Sequence, residues 1–171
     1  MSTENIERLV PPAAAGEREM LRAWLDFHRA TFERKLQGLS PEQLATRSAP
    51  PSEMSLLGLL RHHAEGERYM FCYLFLGDAD VPYFGDTDFE DLTGADERVV
   101  DASWSAWRHA CERSRHIEAA VDLDDLSAIA GEWDGVGVSM RWLLMHTIEE
   151  YARHNGHADL LRERIDGSTG W

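Results

Sequence analysis

The chain has 171 residues, the size of one domain, and 43% of them are hydrophobic, so it can build a core and wholesale disorder is not expected. Its 17 basic and 31 acidic residues give a formal net charge of −14, which disfavours binding to nucleic-acid phosphates or anionic lipid. The two cysteines do not form a disulfide framework, and neither a membrane-spanning run nor a signal peptide is visible. We therefore expect a cytoplasmic protein without nucleic-acid or membrane partners.

The first half of the chain carries two stretches with the 3.6-residue period of amphipathic helices. The first extends from about Ala15 to Leu39, and its predicted core stripe comprises Met20, Trp24, Phe27 and Thr31, widened by Leu21, Leu25, His28 and Phe32. The second extends from about Ser55 to Leu76, with Ser55 as the predicted N-cap. Its predicted buried side holds Leu56, Leu59, Leu60, His63, Met70 and Leu74.

The second half adds two further helices, each preceded by a long connection. Residues 78–95 are rich in Asp, Gly and Pro, and connections of this length are usually functional or mobile. The third helix, about 96–121, has the stripe Val100, Trp104, Trp107, Cys111 and Ile117. The fourth, about 139–165, has the predicted core residues Trp142, Met145, Ile148, Ala152 and Leu160. The pattern predicts a single all-α domain over residues 1–171, an up-and-down four-helix bundle with its core at about 15–167.

Metal-ligating side chains cluster on the fourth helix. His146, Glu150 and His154 are four residues apart, and His157 follows three residues later, so all four lie within roughly 80° of one another. Glu150 and His154 are separated by about 6 Å along the axis, which lets both reach one ion. A stable site needs three or four ligands, and a catalytic site keeps one position open.

The second helix offers a further ligand in the segment RHHAEGERY. His62 and His63 point about 100° apart, so the pattern alone does not choose between them. Gly66 is costly inside a helix and leaves room for a ligand or a neighbouring side chain. The alternative is that these histidines are only hydrogen-bonded core residues, and we assign His28, His109 and His116 to structure or surface. We expect the tryptophans and both cysteines, Cys72 and Cys111, to be core residues.

Two segments resemble a known superfamily, namely SLLGLLRHHAEGERYMF and RWLLMHTIEEYARHNGHADLLRERIDG. They are similar to the DinB-like four-helix-bundle proteins, in particular the actinobacterial branch with mini-circle-type proteins and mycothiol-dependent enzymes, over about residues 17–167. The resemblance implies a divalent metal, zinc first and nickel second, held by His62, Glu150 and His154. Many members have histidine where this chain has Glu150, and the glutamate resembles the mycothiol-dependent maleylpyruvate isomerase type. His157 is an alternative ligand.

The implied activity is that of a metal-dependent thiol S-transferase in detoxification or thiol metabolism. The metal would bind mycothiol as the thiol co-substrate and lower its pKa, and the thiolate would attack a small electrophile. We place Tyr69 in the pocket wall with Tyr73 and Trp142, and Arg153 as a candidate for recognising an acidic group on the cofactor. A homodimer is a possible assembly.

Two other functions remain open at this point. One is metal-dependent hydrolysis, in which the open position holds water and Glu149 or Glu67 acts as the base. The other is a non-catalytic metal-binding or structural bundle, in which the histidines satisfy one another in the core.

Overall fold

The computed structural model describes residues 8–85, 90–130 and 135–169, and this part of the chain is mostly helical. Four long helical stretches occur where the sequence predicts them. The helices are α1 (Glu17–Leu36), α2 (Pro41–Ala45), α3 (Leu56–Glu67), α4 (Glu97–Ala119) and α5 (Met140–Asp166). A π-helical segment, Arg68–Phe75, continues α3 without a break. The sequence analysis missed that segment, the short α2 and an antiparallel hairpin of β1 (Leu126–Ala130) and β2 (Gly137–Ser139).

Polar side chains cap the helices that carry the candidate ligands. The Ser55 hydroxyl accepts a hydrogen bond from the Gly58 backbone N–H at 3.0 Å, which confirms the predicted N-cap of α3. Ser139 caps α5 in the same way, accepting from the Trp142 N–H at 3.2 Å. Gly167 ends α5 with φ of 78°, a left-handed conformation that glycine adopts without strain. Both ligand-bearing helices therefore have fixed starting points.

Two pairs of neighbouring helices, α1 with α5 and α3 with α4, are parallel. On α1 and α5, Glu17 contacts Arg141 and Lys35 contacts Asp159, so the two helices run in the same direction. On α3 and α4, the Arg61 Nε lies 3.1 Å from the Ser103 hydroxyl and Cys111 lies beside Glu67, so these helices are parallel as well. This differs from the alternating directions expected of an up-and-down arrangement. Parallel neighbours need a long connection between them, and residues 76–96 separate the second long helical stretch from α4 in the sequence.

The buried faces of α3 and α4 agree with the sequence prediction, although Met70 is only partly buried, and that of α1 agrees in part, whereas that of α5 does not. The predicted α4 stripe is buried throughout. On α5, however, Trp142, Met145 and Leu160 are exposed, and Ala152 is exposed as well. The buried residues of α5 are instead Met140, Leu143, Leu144, Thr147, Tyr151, His154, Asn155, Ala158 and Leu161. Because several of these are polar, the apolar period on α5 indicated the wrong face.

The tryptophans divide in the same way. Trp104 and Trp107 are buried as expected, but Trp24 is 42% exposed, because the core side of α1 is the one that carries the predicted Leu25 and Phe32 together with Leu36. Trp133 and Trp171 lie outside the described residues. Within the described ranges, no helix combines the length and apolar character needed to cross a membrane.

Candidate metal centre

Three side chains from two helices converge at one point between α3 and α5. The His62 Nε2 lies 3.8 Å from the Glu150 Oε2, and the His154 Nε2 lies 3.5 Å from the same oxygen. One potential ligand atom from each residue lies within 4.8 Å of the other two. A tetrahedral ion with bonds of about 2.0–2.2 Å separates its ligand atoms by roughly 3.3–3.6 Å. The three donors therefore fit a single divalent cation with small side-chain adjustments.

Two neighbours orient these side chains. Arg153 donates to the Glu150 Oε1, which leaves the Oε2 facing the two histidines. The His157 Nδ1 lies 3.2 Å from the His154 Nδ1, on the ring edge away from Glu150. A histidine that binds metal through one nitrogen commonly donates the proton on the other to such an acceptor. In this arrangement His157 lies next to the His154 Nδ1, on the other side of that ring from Glu150.

The adjacent histidines of α3 have different surroundings. The His62 side chain is 23% exposed and faces Glu150, whereas His63 is buried. The His63 ring stacks in parallel on Tyr151 with 3.9 Å between centroids, and Phe32 meets it edge-on. Burial, together with the nearby His62, His154 and Arg29, holds the pKa of His63 well below its ordinary value. His63 is therefore a neutral core residue in this arrangement.

His154 is also in the form that a metal requires. Burial, reinforced by His62, His157 and Arg153, lowers the pKa of His154 to about 3. Its imidazole is therefore neutral at physiological pH and carries a free lone pair, so no proton has to be displaced before a cation binds.

A buried polar network lies directly beneath the site. The Arg29 Nε and Nη2 donate to the two Glu67 carboxylate oxygens, both at 2.7 Å. The Tyr151 hydroxyl donates to the Glu67 Oε1 at 3.0 Å and accepts from the Trp107 Nε1 at 2.8 Å. Burial raises the pKa of Glu67, but Arg29 and the hydrogen bonds outweigh it and the pKa is lowered. Both Glu67 oxygens already accept hydrogen bonds, so this carboxylate is poorly suited to take a proton from water. This argues against hydrolysis with Glu67 as the base.

Sequence analysis did not find this network, although a signal was present. Arg29 lies four residues after the buried Leu25, and Glu67 lies four residues after His63, so both charges occupy inward positions of their helices. Oppositely charged residues on inward faces indicate a buried ion pair. Cys111 touches the same network, and burial raises the pKa of its thiol, which agrees with the predicted core role.

A cavity of about 730 Å³ opens beside the converging side chains. Its wall includes Tyr69, as predicted, and Asp80, Pro82 and Gly85 from the long connection. Arg153, predicted as a candidate for recognising an acidic group on the cofactor, also lines the cavity. Tyr73 and Trp142, also predicted for the wall, are not among its described lining residues. Gly66 does line it, and a Cβ at that position would meet nothing within 4 Å. The space predicted at Gly66 is therefore part of the cavity.

A second convergent group shares Glu150 with the first. His146, Glu149 and Glu150 also bring ligand atoms within 4.8 Å of one another. Arg153 pairs with both carboxylates of this group, and the His146 ring stacks on Trp142 at 4.9 Å. A guanidinium thus already supplies positive charge here, so the first group is the better candidate.

Comparison with known proteins identifies the family of the chain. The family model for Mycothiol-S-transferase matches residues 20–167, which include all three converging residues and the described cavity wall. The chain belongs to the mycothiol S-transferase family. This confirms the resemblance to mycothiol-dependent, DinB-like proteins found in the sequence. No curated protein matches the chain.

Proposed function

We propose that the protein is a metal-dependent thiol S-transferase that uses mycothiol as its thiol co-substrate, in detoxification or low-molecular-weight thiol metabolism. The observation that carries the proposal is the convergence of His62, Glu150 and His154 at the wall of a large cavity, in a member of the mycothiol S-transferase family.

The proposed ligands are the His62 Nε2, the Glu150 Oε2 and the His154 Nε2. Two neutral imidazoles and one carboxylate leave a divalent ion with a net charge near +1. A cation of this kind with an open position lowers the pKa of a thiol bound there, so that thiolate is present at neutral pH. Zinc suits a site of nitrogen and carboxylate ligands, and nickel is the second choice.

The surrounding residues hold this arrangement in place. Arg153 keeps the Glu150 Oε1 occupied, so the carboxylate offers one oxygen to the cation and leaves room for a thiol. The His157 Nδ1 lies 3.2 Å from the His154 Nδ1, and with a metal on the His154 Nε2 it would accept the Nδ1 proton and fix the orientation of that ring. The stacked pair of His63 and Tyr151 closes the core side of the site. The thiol sulfur and its electrophile would meet in the cavity on the open side.

The proposal includes a single domain with a DinB-type four-helix-bundle topology. It also includes a cytoplasmic location, which the two free cysteines favour, and the absence of nucleic-acid partners, which the charge of −14 favours. A homodimer is the assembly to test first.

The test is conjugation of mycothiol to monobromobimane by protein loaded with zinc or nickel. We expect about one metal ion per chain and a conjugation rate above the uncatalysed rate. His154→Ala should lower metal content and reduce the rate at least hundredfold. His116→Ala is the matched control, because His116 is an exposed histidine whose Nδ1 lies 2.8 Å from the Glu112 carbonyl oxygen on the same helix. Wild-type protein that takes up metal but does not conjugate mycothiol to the bimane would contradict the transferase function. Protein that takes up no metal would contradict both metal-dependent functions and favour the non-catalytic structural bundle.

A further inference from the structure

The charged groups that line the cavity are unevenly divided. Among the described lining residues are four carboxylates, Glu65, Glu67, Asp80 and Glu150, and two guanidinium groups, Arg68 and Arg153. Glu67 belongs to the buried network with Arg29, and Glu150 faces the candidate cation. The remaining charges therefore decide which substrates the open part of the cavity accepts.

Both guanidinium groups in the wall are already paired with carboxylates. The Arg68 Nε donates to the Glu65 Oε2 at 2.8 Å, and the Arg68 Nη1 lies 2.9 Å from the Asp80 Oδ1. The Arg68 side chain is only 11% exposed, so the two carboxylates hold it in a largely desolvated position. Arg153 pairs with Glu150, and more distantly with Glu149 at 3.9 Å, while its side chain stays 49% exposed.

We propose that this cavity selects an uncharged electrophile over an anionic one, and that the cluster Glu65–Arg68–Asp80 sets this preference. The inference rests on the proposed transferase function and names its second substrate class. An anionic electrophile would lose hydration on entry, would find both wall arginines already paired, and would approach the Glu65 and Asp80 carboxylates, against which Arg68 supplies a single positive charge. The thiolate that it must approach adds another negative charge nearby. An uncharged electrophile avoids these costs and can pack against Tyr69, Met70 and Pro82.

The preference is assigned to this cluster because Glu65 and Asp80 together neutralise Arg68 at the cavity wall. Glu65 also accepts a hydrogen bond from the Phe84 backbone N–H at 2.8 Å, so one carboxylate both neutralises Arg68 and fixes the long connection beside the cavity. Asp80 approaches Arg68 from that connection. Removing the charge from both acids would leave Arg68 as an unpaired cation at the cavity wall, able to bind a carboxylate substrate.

Two electrophiles of nearly equal size and intrinsic reactivity test the proposal, N-propylchloroacetamide and N-chloroacetylglycine. The first ends in a propyl group and the second in a carboxylate, and both groups are remote from the reacting carbon. In both reactions the mycothiol sulfur bonds to the methylene carbon, chloride leaves with the carbon–chlorine electron pair, and the thiol proton is released to solvent. The quantity measured is the enzymatic rate divided by the uncatalysed rate for each compound, with metal-loaded wild-type protein.

We expect the acceleration to be at least tenfold greater for the uncharged compound. Equal acceleration, or a preference for the anion, would overturn the inference while leaving the transferase intact. If the protein reacts with neither chloroacetamide and also fails to conjugate the bimane, both the proposed function and the inference are overturned. Inactivity toward both compounds in a protein that conjugates the bimane would overturn the inference alone.

A double variant, Glu65→Gln/Asp80→Asn, tests the assignment to the cluster. It should reduce the preference for the uncharged compound at least fivefold, through faster reaction of the anion. The control Glu33→Gln/Asp78→Asn removes the same charge from carboxylates that pair with Arg108 and Arg113 outside the cavity wall, and should keep the wild-type preference. Thermal unfolding checks that both variants fold. A folded cavity variant with unchanged preference would show that the cluster does not set it.

Discussion

The ion pair between Arg29 and Glu67 gives the most quantitative prediction about the structure. Both side chains are almost fully buried, and two hydrogen bonds of 2.7 Å join them. Glu67→Gln keeps the size of the side chain but leaves the Arg29 charge buried without its partner, with Asp26 at 3.3 Å as a poor substitute. Breaking one side of such a pair costs about 3–5 kcal/mol. For a chain of this length, each kcal/mol lowers the melting temperature by about 2–4 °C, so we expect a fall of about 10 °C.

Urea unfolding followed by circular dichroism measures this cost, with Asp78→Asn as the control. Asp78 pairs with Arg113 at the surface, where loss of an ion pair costs less than about 1 kcal/mol. The stability of the two variants should also depend differently on pH in the acid range. Because the pKa of Glu67 is lowered in the folded state, its contribution is present at neutral pH and is lost as the carboxylate protonates in acid, and Glu67→Gln should lack this dependence. If Glu67→Gln were no less stable than the control, the network would not stabilise the fold as described.

Three further predictions concern the site itself. His157→Ala should weaken zinc binding about 10–100-fold in competition with a chromophoric chelator, because His154 loses the acceptor that orients it; wild-type affinity would exclude that role. In metal-free protein, NMR titration should show the His154 imidazole neutral down to about pH 3. The free energy of unfolding should fall as the pH drops below about 6.5, because His154 in the unfolded chain binds its proton first. A titration midpoint of His154 near pH 6.5 would be inconsistent with the burial of its side chain. Gly66→Ala should stabilise the protein by about 1 kcal/mol in urea unfolding, because a Cβ there meets nothing within 4 Å; destabilisation would mean that the space is not open.

The sequence predicted the long helices well because their signals are local. Ser55 and the apolar residues of α3 and α4 follow the capping and periodicity rules closely, and the structure places both helices within a few residues of the prediction. The grouping of Glu150 with His154 was also predictable, since residues four apart on one helix lie side by side.

The features that failed depend on contacts between distant segments. The helical pattern correctly put His63 on the buried side of α3, but it did not show which of His62 and His63 serves as a candidate ligand. That choice depends on contacts with other helices, since Tyr151 and Phe32 pack against the His63 ring while His62 faces Glu150. The buried face of α5 contains Thr147, His154 and Asn155, so apolar periodicity could not identify it. The direction of each helix likewise depends on how the long connections travel, which no local pattern records.

The most direct test of the proposed metal centre is anomalous diffraction at the zinc absorption edge from crystals of zinc-loaded protein. The account predicts a single strong peak about 2.0–2.2 Å from the His62 Nε2, the Glu150 Oε2 and the His154 Nε2, with a fourth position open toward the cavity. A peak at His146 and Glu149 instead, or the absence of any peak near these three atoms, would contradict it.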